Sequence, residues 1–187
     1  DDRFLVGDGV GLGVAGTLYA VDAGTWTVYS GTFTLAGQGA RTVSFYSADV
    51  AGNVEAERNF AVSVDVVAPT TELVYAGGRQ FSLPGTGVYA SSDTLLAFAV
   101  VDSTSSGAAS GAASTWWRDN AGAYQLYASS LTLPEGAHEL GYQSRDNVGN
   151  MELLRAARVL VDQTPPAATI SIGAPSFTDA GGALYVA

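Results

Sequence analysis

The chain has 187 residues and a net charge of −10, from 18 acidic and 8 basic side chains, every basic one an Arg. Such acidity removes the electrostatic footprint for nucleic acid, and with no polybasic stretch there is no attraction to anionic lipid. With no Cys and one His, His138, there is no disulfide scaffold, thiolate site or Cys nucleophile, and little from which to build a Ser-His-Asp triad.

Taken in chain order, strand signals dominate. Phe4–Asp8 is a short apolar run, followed by the Gly-rich loop Gly9–Gly13, which no Lys or helix follows. Turn clusters at Asp22-Ala23-Gly24 and Gly37-Gln38-Gly39 lead to a half-buried strand, Val43–Ser47. Phe60–Val64 alternates, with apolar residues at even positions. Beyond a Pro-bearing junction at 66–69, strands are predicted over 70–75, 94–101, 115–119, 124–128, 138–144 and 153–162. Turns at Pro84–Gly87 and Pro134–Gly136 separate some of them. Met151–Val161 comes nearest to a helical stripe, but it aligns with the alternating Val54–Val64 and is predicted as strand. No run of 18 apolar residues exists to form a membrane-spanning helix. Asp1-Asp2-Arg3 has no signal-peptide pattern, so any secretion signal is expected outside this chain.

The chain also repeats itself. Ser47–Glu55 (Ser-Ala-Asp-Val-Ala-Gly-Asn-Val-Glu) returns 97 residues later as Ser144–Glu152 (Ser-Arg-Asp-Asn-Val-Gly-Asn-Met-Glu). The same offset carries Val64-Asp65 to Val161-Asp162 and Pro69 to Pro166, and it sets Asp22 on Asp119. One inserted residue then aligns Tyr29 with Tyr127. Phe4–Asp8 corresponds to Phe98–Asp102. The expected class is all-β: tandem Ig-like Greek-key β-sandwich repeats of about 97 residues. The expected domains are 1–68, lacking its first strand; 69–165, complete; and 166–187, the opening strands of a third repeat, where Leu184-Tyr185 echoes Val88-Tyr89.

Tyr142–Glu152 leading to Val161-Asp162-Gln163-Thr164-Pro165-Pro166, with its first copy at Phe45–Asn53, resembles the tandem Ig-like repeats of large secreted and surface-anchored bacterial proteins. In that family a strand ends in Asp, an Ala-Gly-Asn turn follows, and Val-Asp-x-x-x-Pro closes the domain. The resemblance implies an extracellular or cell-surface location and a β-sandwich, and says little of function. It also implies Ca²⁺ as a candidate cofactor, since some related adhesins stiffen their linkers with it.

The candidate oxygen ligands are Asp49, Asn53 and Glu55, their copies Asp146, Asn150 and Glu152, and the junction residues Asp65 and Asp162. The same residues read first as turn formers, with Gly52 and Gly149 supplying positive φ, and the metal is the second reading. Trp116 and Trp117 point to opposite faces of a strand. One is expected in the core. The other, exposed beside Tyr124 and Tyr127, could stack on a sugar; the first repeat aligns Tyr19-Ala20 there, so the platform is not expected twice. His138 reads as a solvated position. Glu135 and Glu139 do not form a catalytic pair, and no catalytic residue is assigned.

The function expected is a structural or adhesive repeat segment, non-enzymatic. Two readings of its ends remain open: strand donation, with 166–187 of one copy completing 1–68 of the next in a homopolymer, or a window on a longer repeat protein. The rival class is an accessory module binding a surface glycan or protein beside a catalytic domain.

Overall fold

Strand β11 (Gly136–Asp146) sets the pattern for the whole molecule. His138, Leu140, Tyr142, Ser144 and Asp146 are buried, while Glu139 and Arg145 between them are exposed. That period of two gives the strand one inward face, and such a face needs a second layer. The computed structural model, which describes residues 11–105 and 107–186, supplies one.

The described chain is all β-strand and loop. β1 (Val14–Val21), β2 (Thr27–Val28), β3 (Gly39–Asp49) and β4 (Arg58–Val64) form one sheet in the order β2-β1-β3-β4. Next come β5 (Thr70–Ala76), β6 (Gln80–Leu83), β7 (Gly87–Ala90), β8 (Leu95–Val101), β9 (Ala112–Asp119) and β10 (Gln125–Leu126), then β11 and β12 (Arg155–Val161). β10-β9-β11-β12-β7-β6 make a six-stranded sheet, and β5-β8 make the facing one. A hairpin of β13 (Ser176–Thr178) and β14 (Leu184–Val186) follows.

The second repeat is thus a two-layer β-sandwich of Ig-like topology. Leu96 and Phe98 from β8 meet Leu140 and Tyr142 from β11 and Val159 and Val161 from β12, with Leu73 and Tyr75 of β5 packed beside them. Phe98 is the hub: its ring lies 4.9 Å from Tyr142, 5.0 Å from Tyr127 and 6.3 Å from Trp117. The repeat is also visible strand for strand. β3 and β11 are both 11 residues long, and β4 and β12 both 7.

Three details depart from the sequence reading. Tyr29 N donates to Thr17 O (2.8 Å) as Tyr127 N does to Thr115 O (2.9 Å), so Thr17 matches Thr115. Asp22 (φ 52°) therefore matches Asn120 (φ 51°), and not Asp119. The one-residue difference between repeats lies between Tyr29 and Gly39, in a loop outside the named strands, where an insertion is tolerated. Second, β6 and β7 stand where only a turn was expected. Four-residue strands are too short to show a period, and β7 is held by parallel pairing with β12, Val88 opposite Val159. Gly87 permits that approach: a Cβ there would lie 2.6 Å from Arg158 O. Third, the expected strand over 124–128 is only β10. The strand expected at Phe4–Asp8 lies outside the described residues.

Leu140→Ala, at a fully buried site, is expected to cost about 2–5 kcal/mol in urea denaturation. Val43→Ala, at the same strand position in the first repeat, is expected to cost less, because its sheet face is open among the described residues.

Candidate functional site: the repeat junction and the outer face

The repeated Asp-x-x-Gly-Asn turn joins β11 to β12. Asp146, buried at 1% exposure, accepts from the amides of Val148 (3.0 Å), Gly149 (2.7 Å) and Asn150 (2.8 Å) on Oδ1. Its Oδ2 accepts from Asn150 Nδ2 at 2.7 Å. Gly149 has φ 102°, which a side chain would resist. Asp49 and Asn53 repeat the bond pair at 2.8 and 2.7 Å, and Asn53 holds the Asp49 carboxyl below its ordinary pKa. Glu55 accepts from Ser47 N at 2.9 Å, and Glu152 from Ser144 N at 2.9 Å. Glu152 also takes Thr71 N at 3.1 Å, the Thr71 hydroxyl and Arg155 Nε at 3.0 Å. Each of these carboxylates accepts hydrogen bonds from the turn or from an adjoining strand.

The candidate ligands do not gather as the sequence grouped them. Asp65, Asp102 and Asp146 converge, one carboxylate oxygen from each within 4.8 Å of the others. Asp65 follows β4, Asp102 follows β8 and Asp146 ends β11, so the first repeat here meets the loops of the second. Asp65 Oδ2 accepts from Ser110 N at 2.6 Å, and its backbone oxygen from Asn150 Nδ2 at 3.1 Å. Hydrogen bonds from Ser110, with Val67 and Gln38 adding, hold its carboxyl below the ordinary value. Gln38 ties the same junction by donating to Ala108 O (3.0 Å) and accepting from Val66 N (2.6 Å). Asp102 Oδ2 accepts from Gly111 N at 2.6 Å, while its Oδ1 is buried without a partner. Three hard oxygens are half or less of a Ca²⁺ shell. Asp49, Asn53, Glu55 and Glu152 lie outside this cluster; Asn150 turns its Nδ2, a donor, toward Asp65. Asp162 accepts from Thr164 N at 3.0 Å. Asp102 was absent from the sequence candidates, although Asp8 in the aligned Phe4–Asp8 run was the signal for it.

On the outer face the tryptophans divide as expected: Trp117 packs on the core and Trp116 is 37% exposed. Trp116 lines a shallow groove with Tyr124, Gln143, Arg145 and Met151. Arg118 lies 4.9 Å over the Tyr124 ring. Tyr127 does not join them; it turns inward against Phe98. Nor is the aromatic outer face confined to one repeat. Trp26 stands two residues before Val28 of β2, as Tyr124 does before Leu126 of β10, and its ring meets Tyr46 at 4.7 Å. His138 is also corrected. It is buried at 5% exposure, with Nδ1 2.7 Å from Asp119 Oδ2 and Nε2 3.0 Å from Pro134 O. An Arg41–Asp22 ion pair at 2.9 Å takes its place in the first repeat.

No family model matches the chain, and no curated protein does. Among solved structures it is similar to the Clostridium thermocellum CbhA fibronectin(III)-like modules, at 14% identity over 84% of each chain with a TM-score of 0.37. The sandwich itself rests on the strand pairing described above. No helix among the described residues is long and apolar enough to cross a membrane.

Asp102→Asn removes one of three crowded charges and gives the orphaned position a donor. It is expected to stabilise the chain in EDTA by about 1 kcal/mol, read as a raised Tm. Millimolar Ca²⁺ that raised the Tm of the native chain and left Asp102→Asn unmoved would assign the cluster a metal; equal responses would deny it one. The lowered carboxyls of Asp49 and Asp65 stabilise the fold in their ionised form. That contribution is present above the unfolded carboxylate pKa of about 3.9 and is lost as pH falls through the folded values. Tm is therefore expected to hold from neutral pH to about 5 and drop below about 4, with a shallower drop in Asp49→Asn.

Proposed function

We propose that this chain is a non-catalytic structural segment of a repeat-built bacterial protein, working outside the cell as a spacer and adhesive rod that extends by head-to-tail association. The observation that carries the proposal is the interlocked junction. Asp65, just beyond the last strand of the first repeat, receives hydrogen bonds from Ser110 and Asn150 of the second. Gln38 reaches across to Ala108. Asp162 holds the same place after β12 and is available to a following repeat in the same way. Such contacts transmit orientation from one sandwich to the next, which a spacer needs and a flexible linker lacks. The resemblance of the Asp-x-x-Gly-Asn turn and Val-Asp-x-x-x-Pro junction to surface-protein repeats supports the extracellular setting.

Small-angle scattering tests the rod. The native chain is expected to give the profile of the first-repeat sheet and the second-repeat sandwich in one fixed orientation. Asp65→Ala combined with Gln38→Ala is expected to broaden the pair-distance distribution without changing the β content by circular dichroism. A native profile as broad as the variant's would end the rod reading.

A second reading is favoured by one feature, the exposed Trp116 beside Tyr124 and Arg145. Aromatic faces with a nearby polar fork suit a sugar ring or a protein partner. Under this reading the chain is an accessory binding module. Glycan-array binding that disappears in Trp116→Ala and persists in Trp117→Phe would select it.

A further inference from the structure

Two surfaces lack partners among the described residues, and the second repeat contains both of them joined. The first surface is β4 with the sheet face beside it. β4 is the last strand of its sheet, so its outer edge has no strand against it. Edge strands are ordinarily blunted by Lys, Pro, inward charges or bulges. From Phe60 to Val64 this strand has no charge and no Pro. The face beside it is a groove of about 360 Å³, floored by Tyr19, Val43 and Phe45 and reached by Ser47 and Glu55. Phe45 and Val62 are only half-buried, whereas Tyr142 and Val159, at the same places in the second repeat, are buried.

The second surface is the segment 167–186. Ile170 is 91% exposed, and Ile172, Phe177, Leu184, Tyr185 and Val186 are exposed with it. β13 and β14 pair only with each other, and a lone two-stranded hairpin is marginal in water. The pairing of Phe177 with Tyr185 repeats that of Phe81 with Tyr89 in the β6–β7 hairpin. In the second repeat that hairpin is docked: β7 runs parallel to β12, with Val88, Tyr89 and Ala90 opposite Val159, Leu160 and Val161. Ahead of it, β5 lays Leu73 and Tyr75 on the core, and Thr71 N donates to Glu152 at 3.1 Å.

We propose that residues 167–186 of one copy dock on the β1–β4 sheet of a second copy, with β14 adding in parallel to β4. Leu184 then stands opposite Val62, Tyr185 opposite Ser63 and Val186 opposite Val64. The proposal rests on the head-to-tail rod reading and gives it a surface and a register. Ile170 and Ile172 occupy the places of Leu73 and Tyr75, over Val43 and Phe45. A slip of one residue would bury Thr169 and Ser171 and leave both Ile side chains in water, so the register is fixed by the apolar pattern. The amide of Ala168 meets Glu55 as that of Thr71 meets Glu152. Two places differ from the docked hairpin. Ala168 has no hydroxyl, so the bond that Thr71 makes to Ser144 at 2.6 Å has no counterpart. Ala183 replaces Gly87, whose Cβ position lies 2.6 Å from a backbone oxygen of β12, so pairing starts at Leu184. Donor and acceptor are different surfaces of one chain, so the contact is heterologous and propagates into filaments.

Sedimentation velocity over a concentration series tests this on the full chain, which is expected to form species larger than the monomer as concentration rises. Ile170→Asp with Val186→Asp removes the donor at exposed positions, so its Tm is expected to match the native value. Val62→Asp removes the acceptor. Each variant alone is expected to be monomeric, and an equimolar mixture to form a 1:1 complex and nothing longer. Should Val62→Asp fail to fold, the donor variant added to native chain serves instead: it caps the growing end and shortens the assemblies in proportion to its share. A native chain that stays monomeric at its highest soluble concentration overturns the docking. So does a donor variant that assembles like the native chain. Scattering from the monomeric donor variant reports on the rod alone, so the two ideas stand or fall separately.

Discussion

A β-sheet with one apolar face cannot end in water, and this chain is arranged around meeting that demand. In the second repeat it is met within the chain. Leu140, Tyr142, Val159 and Val161 are covered by Leu96 and Phe98 of β8 and by the side chains of β5. The burial of these large residues is the main favourable term, on the order of 2 kcal/mol for each. The β11–β12 turn, the β7 edge and the Thr71–Ser144–Glu152 bonds are positioned by that closure. In the first repeat the same strands present Val43, Phe45, Val62 and Val64, and the demand is incompletely met among the described residues. The open groove and the bare β4 edge are one surface left without a partner among the described residues, and the exposed isoleucines of 167–186 are another.

Polar groups hold the framework in place. Asp146 accepts hydrogen bonds from three backbone amides of its own turn. Without them, those amides would be left unpaired beside a buried carboxylate. Asn150 bonds inward to Asp146 and outward to Asp65, so the turn that closes one sandwich also grips the preceding one. This is how a local motif becomes an interdomain joint. It also explains why carboxylates crowd there. Asp65 and Asp146 turn their carboxylates toward amide donors, and Asp102 keeps one buried oxygen without a partner.

Much of this was legible in the residues. The recurrence of Ser47–Glu55 at Ser144–Glu152 located two copies of one turn, and the alternation in Phe60–Val64 located the strand behind it. Periodicity and turn chemistry are local, so they survive in a bare sequence. β6 and β7 were not legible, because four residues cannot display a period and β12, on which β7 pairs, lies some seventy residues away in the chain. His138 was misjudged for a related reason. Nothing near it announces that Asp119 and Pro134 will close over the ring.

The division between the two levels is physical. By itself the sequence determined the all-β class, the repeat, the turn motif and the apolar face of the strands that alternate, such as Phe60–Val64, since these follow from spacing alone. Only the tertiary structure decided which carboxylates meet. From the candidates, which included Asp65 and Asp146, it brings those two together with Asp102, at the ends of β4, β11 and β8. It also turned Tyr127 inward and left Trp116 outside, and it brought Trp26 onto the matching outer face. These outcomes depend on how sheets stack and twist, which brings together residues far apart along the chain.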